Sequence, residues 1–242
     1  MSIFNSLLQQ LRNQTLGIRY YTNASQPLQK LTFTISNTFD PEMDKLRQLY
    51  LYGKLLSSAK DDFDDKSQHL ALHINGTLAS CMRFSPGIPI YKEMANNQVD
   101  APTGNETVDM TRALVHQDYK GLGLYELICL LGLFHSRNLG FKTVIGGFII
   151  GNPVASKLYN LGFENCGQAV PGKNLPSSSK FGTSNIQLVT CDIHTKQHLW
   201  QKFFADRIAF LKERGFIISP EIINITVLAN NEDKNLFKIK PS

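Results

Sequence analysis

Two strand–helix pairs in succession, between residues 106 and 163, limit what this chain can fold into more than any other feature. The strand ETVDMTRALV (106–115) leads through the glycine turn KGLG into a helix that extends to about Asn138. The strand KTVIGGFII and the helix NPVASKLYN then repeat this order, and the same four residues, NLGF, end both helices. Strands joined through a helix run parallel, with a right-handed crossover. The sequence therefore predicts parallel strand pairing in this region.

Further strands flank this region. LTFTIS (31–36) alternates and is rich in β-branched residues, and residues 69–84 predict a hairpin around the turn Asn75-Gly76. A late strand is predicted over residues 184–193. Because a hairpin is antiparallel, we expect the α/β class, with a central, mixed and twisted sheet that is flanked by helices.

Helices are predicted at both ends of the chain. Asp40 as N-cap and Pro41 at the first position predict one helix, and QHLWQKFFADRIAFLKERG predicts another that ends at Gly215. The first residues have apolar side chains at helical spacing. We therefore expect three segments: a helical extension over residues 1–30, a core over 31–193, and a C-terminal helix and tail over 194–242 that packs on the core.

Composition excludes several classes of function. The net charge of +5 is too small to indicate nucleic-acid binding. LICLLGLF is too short to span a bilayer, and HTKQH (194–198) lacks a third metal ligand, so we expect neither a stable membrane span nor a metal. The four scattered cysteines favour reduced thiols in a cytoplasmic protein; they are Cys81, Cys129, Cys166 and Cys191.

The glycine turn is the main candidate binding feature. A turn between a strand and a helix presents unpaired N–H groups at the positive end of the helix dipole, which is typical of phosphate sites. A dinucleotide fingerprint would need glycine at position 126, where Glu126 stands, and a P-loop would need Lys in place of Leu124. Taken alone, the glycines equally fit an ordinary turn with close strand–helix packing.

The neighbours of the turn resemble the GNAT superfamily of acyltransferases, whose signature is Q/R-x-x-G-x-G/A after the fourth strand. DYKGLG (118–123) matches both glycines, with Asp118 where the family usually has Arg or Gln. NPVASKLYNLGF is similar to the family's N-x-x-A-x-x-L-Y-x-x-L-G-F segment, with these residues in place: Asn152, Ala155, Leu158, Tyr159, Gly162 and Phe163. The resemblance extends over residues 31–193 and implies a GNAT-like N-acyltransferase fold.

A second group of residues resembles one branch of this family, the acyl-homoserine-lactone synthases and the long-chain N-acyl amino acid synthases. The arrangement D-x-F-D, then R, then D-x-T-R is carried by Asp61, Asp64, Arg83, Asp109 and Arg112. The resemblance implies a charged cluster beside the acceptor amine, in which the first three bind substrate and the last two are catalytic. Asp109 replaces the usual glutamate.

Two observations bear on this branch. The only tryptophan, Trp200, lies far from the acceptor loop, which favours the amino acid synthases over the lactone synthases. From the residues alone, the acidic run also fits a solvated loop, and Asp109 with Arg112 also fits a structural ion pair. Three residues apart on a strand, these two face opposite sides unless a bulge re-aims one of them.

The resemblance also implies a donor site and a mechanism. The donor is acyl-CoA or an acyl carrier protein thioester, and the acceptor is an amino acid or small amine. The donor site is implied to comprise Leu114, Val115, Tyr119, Lys120, Gly121, Leu122, Gly123, Leu124 and Asn152, with N–H groups near Leu114 and Val115 stabilising the oxyanion. Tyr159 would protonate the leaving thiolate. Lys120, Arg137, Lys142 and Lys157 are predicted to receive an acidic carrier protein. The alternative is a non-catalytic acyl-CoA sensor or partner-binding module on the same scaffold.

Overall fold

The computed structural model describes residues 28–53, 58–95, 97–171 and 184–226. Most of the predicted N-terminal extension (1–30), and the tail beyond residue 226, therefore lie outside the described residues. Nine strands are present in these ranges: β1 (Gln29–Ser36), β2 (Gln68–Ile74), β3 (Thr77–Pro86), β4 (Thr107–Val115), β5 (Thr143–Ile149), β6 (Glu164–Asn165), β7 (Val170–Pro171), β8 (Asn185–Asp192) and β9 (Phe216–Ile218). Six α-helices accompany them there: α1 (Pro41–Tyr52), α2 (Ile90–Met94), α3 (Leu124–Asn138), α4 (Val154–Asn160), α5 (Ile193–Glu213) and α6 (Pro220–Asn224).

The strands form one sheet in the order β6-β8-β5-β4-β3-β2-β1-β9, with β7 also paired to β8. The pairs β4–β5 and β1–β9 are parallel, and the other pairs are antiparallel. This arrangement confirms the predicted α/β class with a mixed sheet. The strand β9, which extends the sheet beside β1, was not predicted from the sequence.

Local sequence patterns determine several element boundaries. The Asp40 carboxylate accepts the N–H of Glu42 at 2.6 Å and so caps α1, as predicted. The hairpin turn has positive φ angles of 52° at Asn75 and 85° at Gly76. The helix α3 begins directly after Gly123 and ends at Asn138. These boundaries agree with the predictions.

The prediction of parallel pairing is right for β4 and β5 and wrong for the strands that follow. The strand β8 lies antiparallel beside β5 along its whole length, Thr143–Ile149. The segment after α4 forms only the two-residue β6, which pairs with the far side of β8. An eight-residue strand offers β5 far more backbone hydrogen bonds than β6 does, so β8 takes the position beside β5.

The core lies mainly between the sheet and α3. The apolar side chains of α3, including Leu127 and Phe134, are fully buried. The helix α5 covers α3, with edge contacts from Phe134 to Trp200 and to Phe204 at centroid distances of 6.2 and 5.6 Å. Helix α3 is therefore fixed on both sides. None of the helices in the described ranges combines the length and hydropathy that a bilayer-spanning helix needs.

The parallel strands β4 and β5 separate partway along their length. They pair only where Thr107 to Asp109 face Thr143 to Ile145. Beyond this point β4 continues to Val115 beside β3, while β5 continues to Ile149 beside β8. Here β4 stays paired with β3 and β5 stays paired with β8, but β4 and β5 no longer pair with each other. A crevice therefore opens between β4 and β5 in the middle of the sheet.

Candidate active site

A cavity of about 480 Å³ occupies the crevice between β4 and β5. Its walls also include β3, the first turns of α3, and α4. Ten of the predicted site residues line it: Arg83, Arg112, Leu114, Val115, Tyr119, Lys120, Gly121, Gly123, Leu124 and Asn152. Five predicted site residues are not among its lining residues: Asp61, Asp64, Asp109, Leu122 and Tyr159. The structure therefore brings most of the predicted donor-binding residues to one place.

The glycine turn lies at one end of this cavity. Both glycines have left-handed backbone angles, with φ of 84° at Gly121 and 69° at Gly123. Gly123 is the N-cap of α3, and no side chain caps the first N–H groups of that helix. These N–H groups are therefore available to an anion in the cavity.

A cation from a distant part of the chain lies against this turn. A side chain at Gly123 would overlap the guanidinium of Arg207, which extends from α5. Within the described residues, the one other interaction of Arg207 is a cation–π contact with Phe210, at 5.2 Å. Asp118, which stands where Arg or Gln was expected, is largely exposed beside His116. Sequence patterns did not reveal Arg207, because no local spacing relates α5 to the turn.

The predicted charged cluster forms on the side of the sheet that α1 covers. Arg47 of α1 donates two hydrogen bonds from Nη1 to the Asp64 carboxylate, at 2.7 and 2.8 Å, and both side chains are buried. Arg83 contacts Asp61 and, at 3.3 Å, Asp64. Burial favours a higher pKa for Asp64, but Arg47, the Asp61 N–H and Arg83 hold the pKa below its ordinary value. The sequence missed Arg47.

A β-bulge turns Arg112 toward this cluster. Cys81 pairs with Leu114 and Arg83 pairs with Thr111, so β4 carries one extra residue at this point. Arg112 has a φ of 57°, which is uncommon for a residue other than glycine. Its Nη2 lies 3.2 Å from the Asp61 carboxylate. On a regular strand Asp109 and Arg112 would face opposite sides of the sheet. The bulge changes the direction of Arg112 and places it beside Asp61.

Asp109 is buried behind the cavity wall. Its Oδ2 accepts the backbone N–H of Tyr91 at 2.8 Å, at the start of α2. Burial raises the pKa of Asp109 to about 7, although the backbone N–H groups of Tyr91 and Ile90 and the charge of Arg83 act in the opposite direction. The Asp109 carboxyl is therefore buried, with a pKa near neutrality.

We expect Asp109→Asn to weaken the dependence of stability on pH. The unfolded carboxyl ionises near 3.8, and the folded one near 7. The folded state therefore loses roughly 4 kcal/mol of stability as the pH rises between these two values. Asparagine keeps the bond from Tyr91 and does not ionise, so the variant's free energy of unfolding should fall less over this window. Urea unfolding at about pH 5 and about pH 8 measures the difference. Equal decreases in the two proteins would contradict the shifted pKa.

Two tyrosines differ in their relation to the cavity. Tyr159 is 42% exposed and is not among the residues that line the cavity. Its hydroxyl donates a hydrogen bond to Asn165 Oδ1 at 2.7 Å. Tyr125, on the first turn of α3, lines the cavity. Burial raises the pKa of Tyr125 well above its ordinary value, and a contact with Cys129 adds to this effect. Burial likewise raises the pKa of Cys129 to about 12, which keeps that thiol protonated and unreactive.

The cations predicted to receive a carrier protein do not lie at one end of the molecule. Lys120 and Lys157 line the cavity. Arg137 and Lys142 lie at the opposite end of the 15-residue helix α3, about 20 Å away. Arg137 donates to the Thr226 carbonyl, and Lys142 pairs with an exposed glutamate. The prediction that these four cations lie together is therefore wrong for Arg137 and Lys142.

The histidine pair of the HTKQH segment lies on the first turns of α5. Both side chains, His194 and His198, are exposed there. Within the described ranges, no group of three or more His, Cys, Asp or Glu side chains is arranged to hold a metal ion.

Solved structures with a similar fold are known. The CoA-dependent acyl-homoserine lactone synthase BjaI, solved with SAM and isopentyl-CoA, aligns with a TM-score of 0.54 and 12% identity, covering 84% of this chain and 98% of its own. The AHL synthase LasI aligns with a TM-score of 0.53 and 15% identity, covering 72% and 94%. No protein-family model and no curated protein sequence matches the chain. The structural likeness confirms the predicted GNAT fold.

Proposed function

We propose that this chain, which has the GNAT fold, is an N-acyltransferase. It transfers an acyl group from a pantetheine thioester, carried by coenzyme A or acyl carrier protein, to the amino group of an amino acid or small amine. One observation carries this proposal: β4 and β5 stop pairing after Asp109 and Ile145, and the cavity that results has a glycine turn at one end. An extended pantetheine arm fits between diverging strands whose inner backbone groups need partners.

The donor phosphate binds at the glycine turn in this proposal. The N–H groups at the start of α3 and the Arg207 guanidinium both favour an anion there. Lys120, at the same end of the cavity, adds a second positive charge. Arg207 thus supplies a cation at the turn, where Asp118 supplies none.

The acceptor binds beside the charged cluster. Three guanidinium groups (Arg47, Arg83 and Arg112) face two carboxylates (Asp61 and Asp64), which leaves one positive charge. Arg83 and Arg112 line the cavity, and Arg112 uses a single donor group in its contact with Asp61. A net positive cluster favours an acceptor that carries a carboxylate, so an amino acid fits better than a simple amine.

The chemistry is attack of the neutral amine on the thioester carbonyl. Asp109, with its pKa of about 7, removes the amine proton through a water molecule, because its carboxylate lies behind the cavity wall. Backbone N–H groups near Leu114 and Val115 stabilise the oxyanion. The tetrahedral intermediate then collapses to the amide and a thiolate, which takes a proton.

We assign that last proton to Tyr125 in place of Tyr159, because the Tyr125 side chain lines the cavity. Tyr125→Phe should lower kcat by on the order of 100-fold with little change in KM. Tyr159→Phe, the matched control, should stay close to wild type. Steady-state kinetics with a saturating acceptor measures both variants, and a large loss in Tyr159→Phe alone would return the role to Tyr159.

A turnover assay tests the proposed function. Acyl-CoA and acyl carrier protein thioesters are each incubated with a panel of amino acids and amines. Free thiol is followed with a thiol-reactive dye, and the amide product is identified by mass spectrometry. We expect thiol release that depends on an amino acid. Donor binding without thiol release for any acceptor would favour the acyl-CoA sensor.

A further inference from the structure

Tyr91 of α2 lies across β5 at the point where β4 and β5 separate. Its backbone N–H donates to Asp109, the last residue of β4 that pairs with β5. Its hydroxyl donates to the carbonyl of Gly147 at 3.2 Å, two residues beyond the last residue of β5 that pairs with β4. Tyr91 is therefore anchored at both ends, once on each of the two diverging strands.

The Gly147 carbonyl points into the crevice. In the antiparallel pair of β5 and β8, only alternate residues of β5 bond to β8. Ile150 donates to Asn185 there, so Gly147, three residues earlier, directs its N–H and carbonyl away from β8. The Tyr91 hydroxyl supplies the partner that β4 no longer offers. Burial and the nearby Asp109 charge raise the pKa of Tyr91, so this hydroxyl stays protonated.

A missing side chain on β5 makes room for the Tyr91 ring. A Cβ atom added at Gly147 would lie 2.5 Å from Cε1 and 2.8 Å from Cδ1 of that ring. Glycine inside a strand weakens the strand, and it often marks a place where another group approaches the backbone closely. The Tyr91 side chain is 8% exposed and lines the cavity. Gly147 therefore allows an aromatic ring to lie directly on β5 at the crevice.

The Tyr91 ring lies on the same face of the sheet as the charged cluster. Residues that are two apart on a strand share a face. Gly147 lies two residues after the β5 partner of Asp109 and so shares its face. On β4, Asp109 shares this face with Thr111, whose hydroxyl accepts a hydrogen bond from Arg83 at 2.8 Å. The ring therefore forms a wall of the part of the cavity that faces the charged cluster.

We propose that Tyr91 determines which acceptors fit: its ring closes the acceptor part of the cavity and restricts the acceptor to an amino acid with a small side chain. This inference rests on the proposed function, because it assigns a specificity-determining residue to the acceptor of that reaction. The cavity of about 480 Å³ is in the lower half of the range of about 300–1,000 Å³ for single small-molecule sites. Here it must hold the pantetheine arm, the acyl group and the acceptor. Because Tyr91 is anchored at both ends, its ring does not turn aside for a larger acceptor.

A panel of acceptors of increasing size tests this assignment. Glycine, alanine, valine, leucine and phenylalanine are compared by kcat/KM, with one thioester donor at saturation. The wild-type protein should prefer glycine and alanine. Tyr91→Ala removes the ring and keeps the N–H bond to Asp109, so the ratio of kcat/KM for phenylalanine to that for alanine should rise about 30-fold. Gly147→Ala pushes the ring toward the acceptor and should lower kcat/KM for alanine relative to glycine.

Two further variants separate the ring from its surroundings. Tyr91→Phe keeps the ring and loses only the bond to Gly147, so it should keep the preference for small acceptors. Val99→Ala is the matched control, because Val99 is 4% exposed, packs in the same apolar cluster as Tyr91 and does not line the cavity. It should keep that preference as well. Thermal unfolding shows whether each variant is folded, and Gly147→Ala together with Tyr91→Leu decides the question if Tyr91→Ala does not fold.

The outcomes separate this inference from the proposed function. A shift toward phenylalanine in Tyr91→Ala, with none in Tyr91→Phe or Val99→Ala, supports the ring as the limit on acceptor size. Turnover with the same acceptor preference in wild type and Tyr91→Ala overturns this inference and leaves the acyltransferase in place, and so does a wild-type preference for phenylalanine. Absence of turnover in the wild-type protein with every thioester and acceptor overturns both.

Discussion

Asp64→Ala should destabilise the protein by about 3–5 kcal/mol, the largest effect on stability that we expect in the site. Asp64 and Arg47 are both buried, with side-chain exposures of 0% and 1%. Removing the carboxylate leaves a guanidinium that has lost both of its Nη1 hydrogen bonds. The Nε atom of Arg47 already lacks a partner in the described part of the chain. We expect the midpoint of thermal unfolding to fall by about 10 °C or more.

Two further variants separate the buried pair from a general effect of the acidic segment. Asp65→Ala removes the neighbouring carboxylate, which is 70% exposed and pairs with Lys60, and should leave the midpoint nearly unchanged. Combining Asp64→Ala with Arg47→Met removes both charges and should recover much of the lost stability. If Asp64→Ala were no more destabilising than Asp65→Ala, the assignment of a buried ion pair would be wrong.

This pair also shows how far the sequence could predict the site. The spacing of Asp61 and Asp64 carried a resemblance to one family branch, and that resemblance correctly predicted a cluster with Arg83. It did not predict Arg47, whose contact with Asp64 depends on how α1 packs against the sheet. Pairing between elements that are distant in the chain leaves no periodic pattern in either of them.

Local chemistry was predicted most accurately. The Asp40 cap, the Asn75-Gly76 turn and the start of α3 each depend on a few adjacent residues whose backbone preferences are strong. From the sequence, Arg112 could lie either on a regular strand or next to a bulge, because the position of a bulge depends on the register between β4 and β3. The antiparallel pairing of β8 with β5 was missed for a similar reason, because the local sequence pattern of a strand does not identify its partner in the sheet.

The difference between Tyr159 and Tyr125 has a similar origin. The family motif placed a tyrosine on α4, and the structure has it there. The direction of its hydroxyl depends on Asn165, which follows the helix. Tyr125 had no motif to distinguish it, although it lies directly beside the glycine turn. The motif therefore identified the helix that carries Tyr159, but it did not determine the direction of the Tyr159 hydroxyl.

Gly123→Val should reduce the affinity for coenzyme A by on the order of 100-fold, the largest effect on binding that we expect. The sequence suggests that the new side chain would block the phosphate. The structure adds that it would overlap the Arg207 guanidinium and displace it from the turn. Valine also disfavours the left-handed φ of 69°, so the turn itself must change. The variant therefore loses both the backbone N–H contacts and the guanidinium.

Calorimetric titration with coenzyme A, and with pantetheine that lacks the phosphates, measures this loss. Gly140→Val is the matched control, because Gly140 has a φ of 84° at the opposite end of α3 and no atom within 4 Å of its Cβ position. It shares the backbone strain and should bind coenzyme A normally. Arg207→Ala should lose part of the affinity for coenzyme A. Adding Gly123→Val to Arg207→Ala then measures the contribution of the turn without the guanidinium. Pantetheine should bind all four variants with similar affinity, because it has no phosphate. Unchanged affinity of Gly123→Val for coenzyme A would mean that the phosphate binds elsewhere, and the donor site at the mouth of the β4–β5 crevice would have to be abandoned.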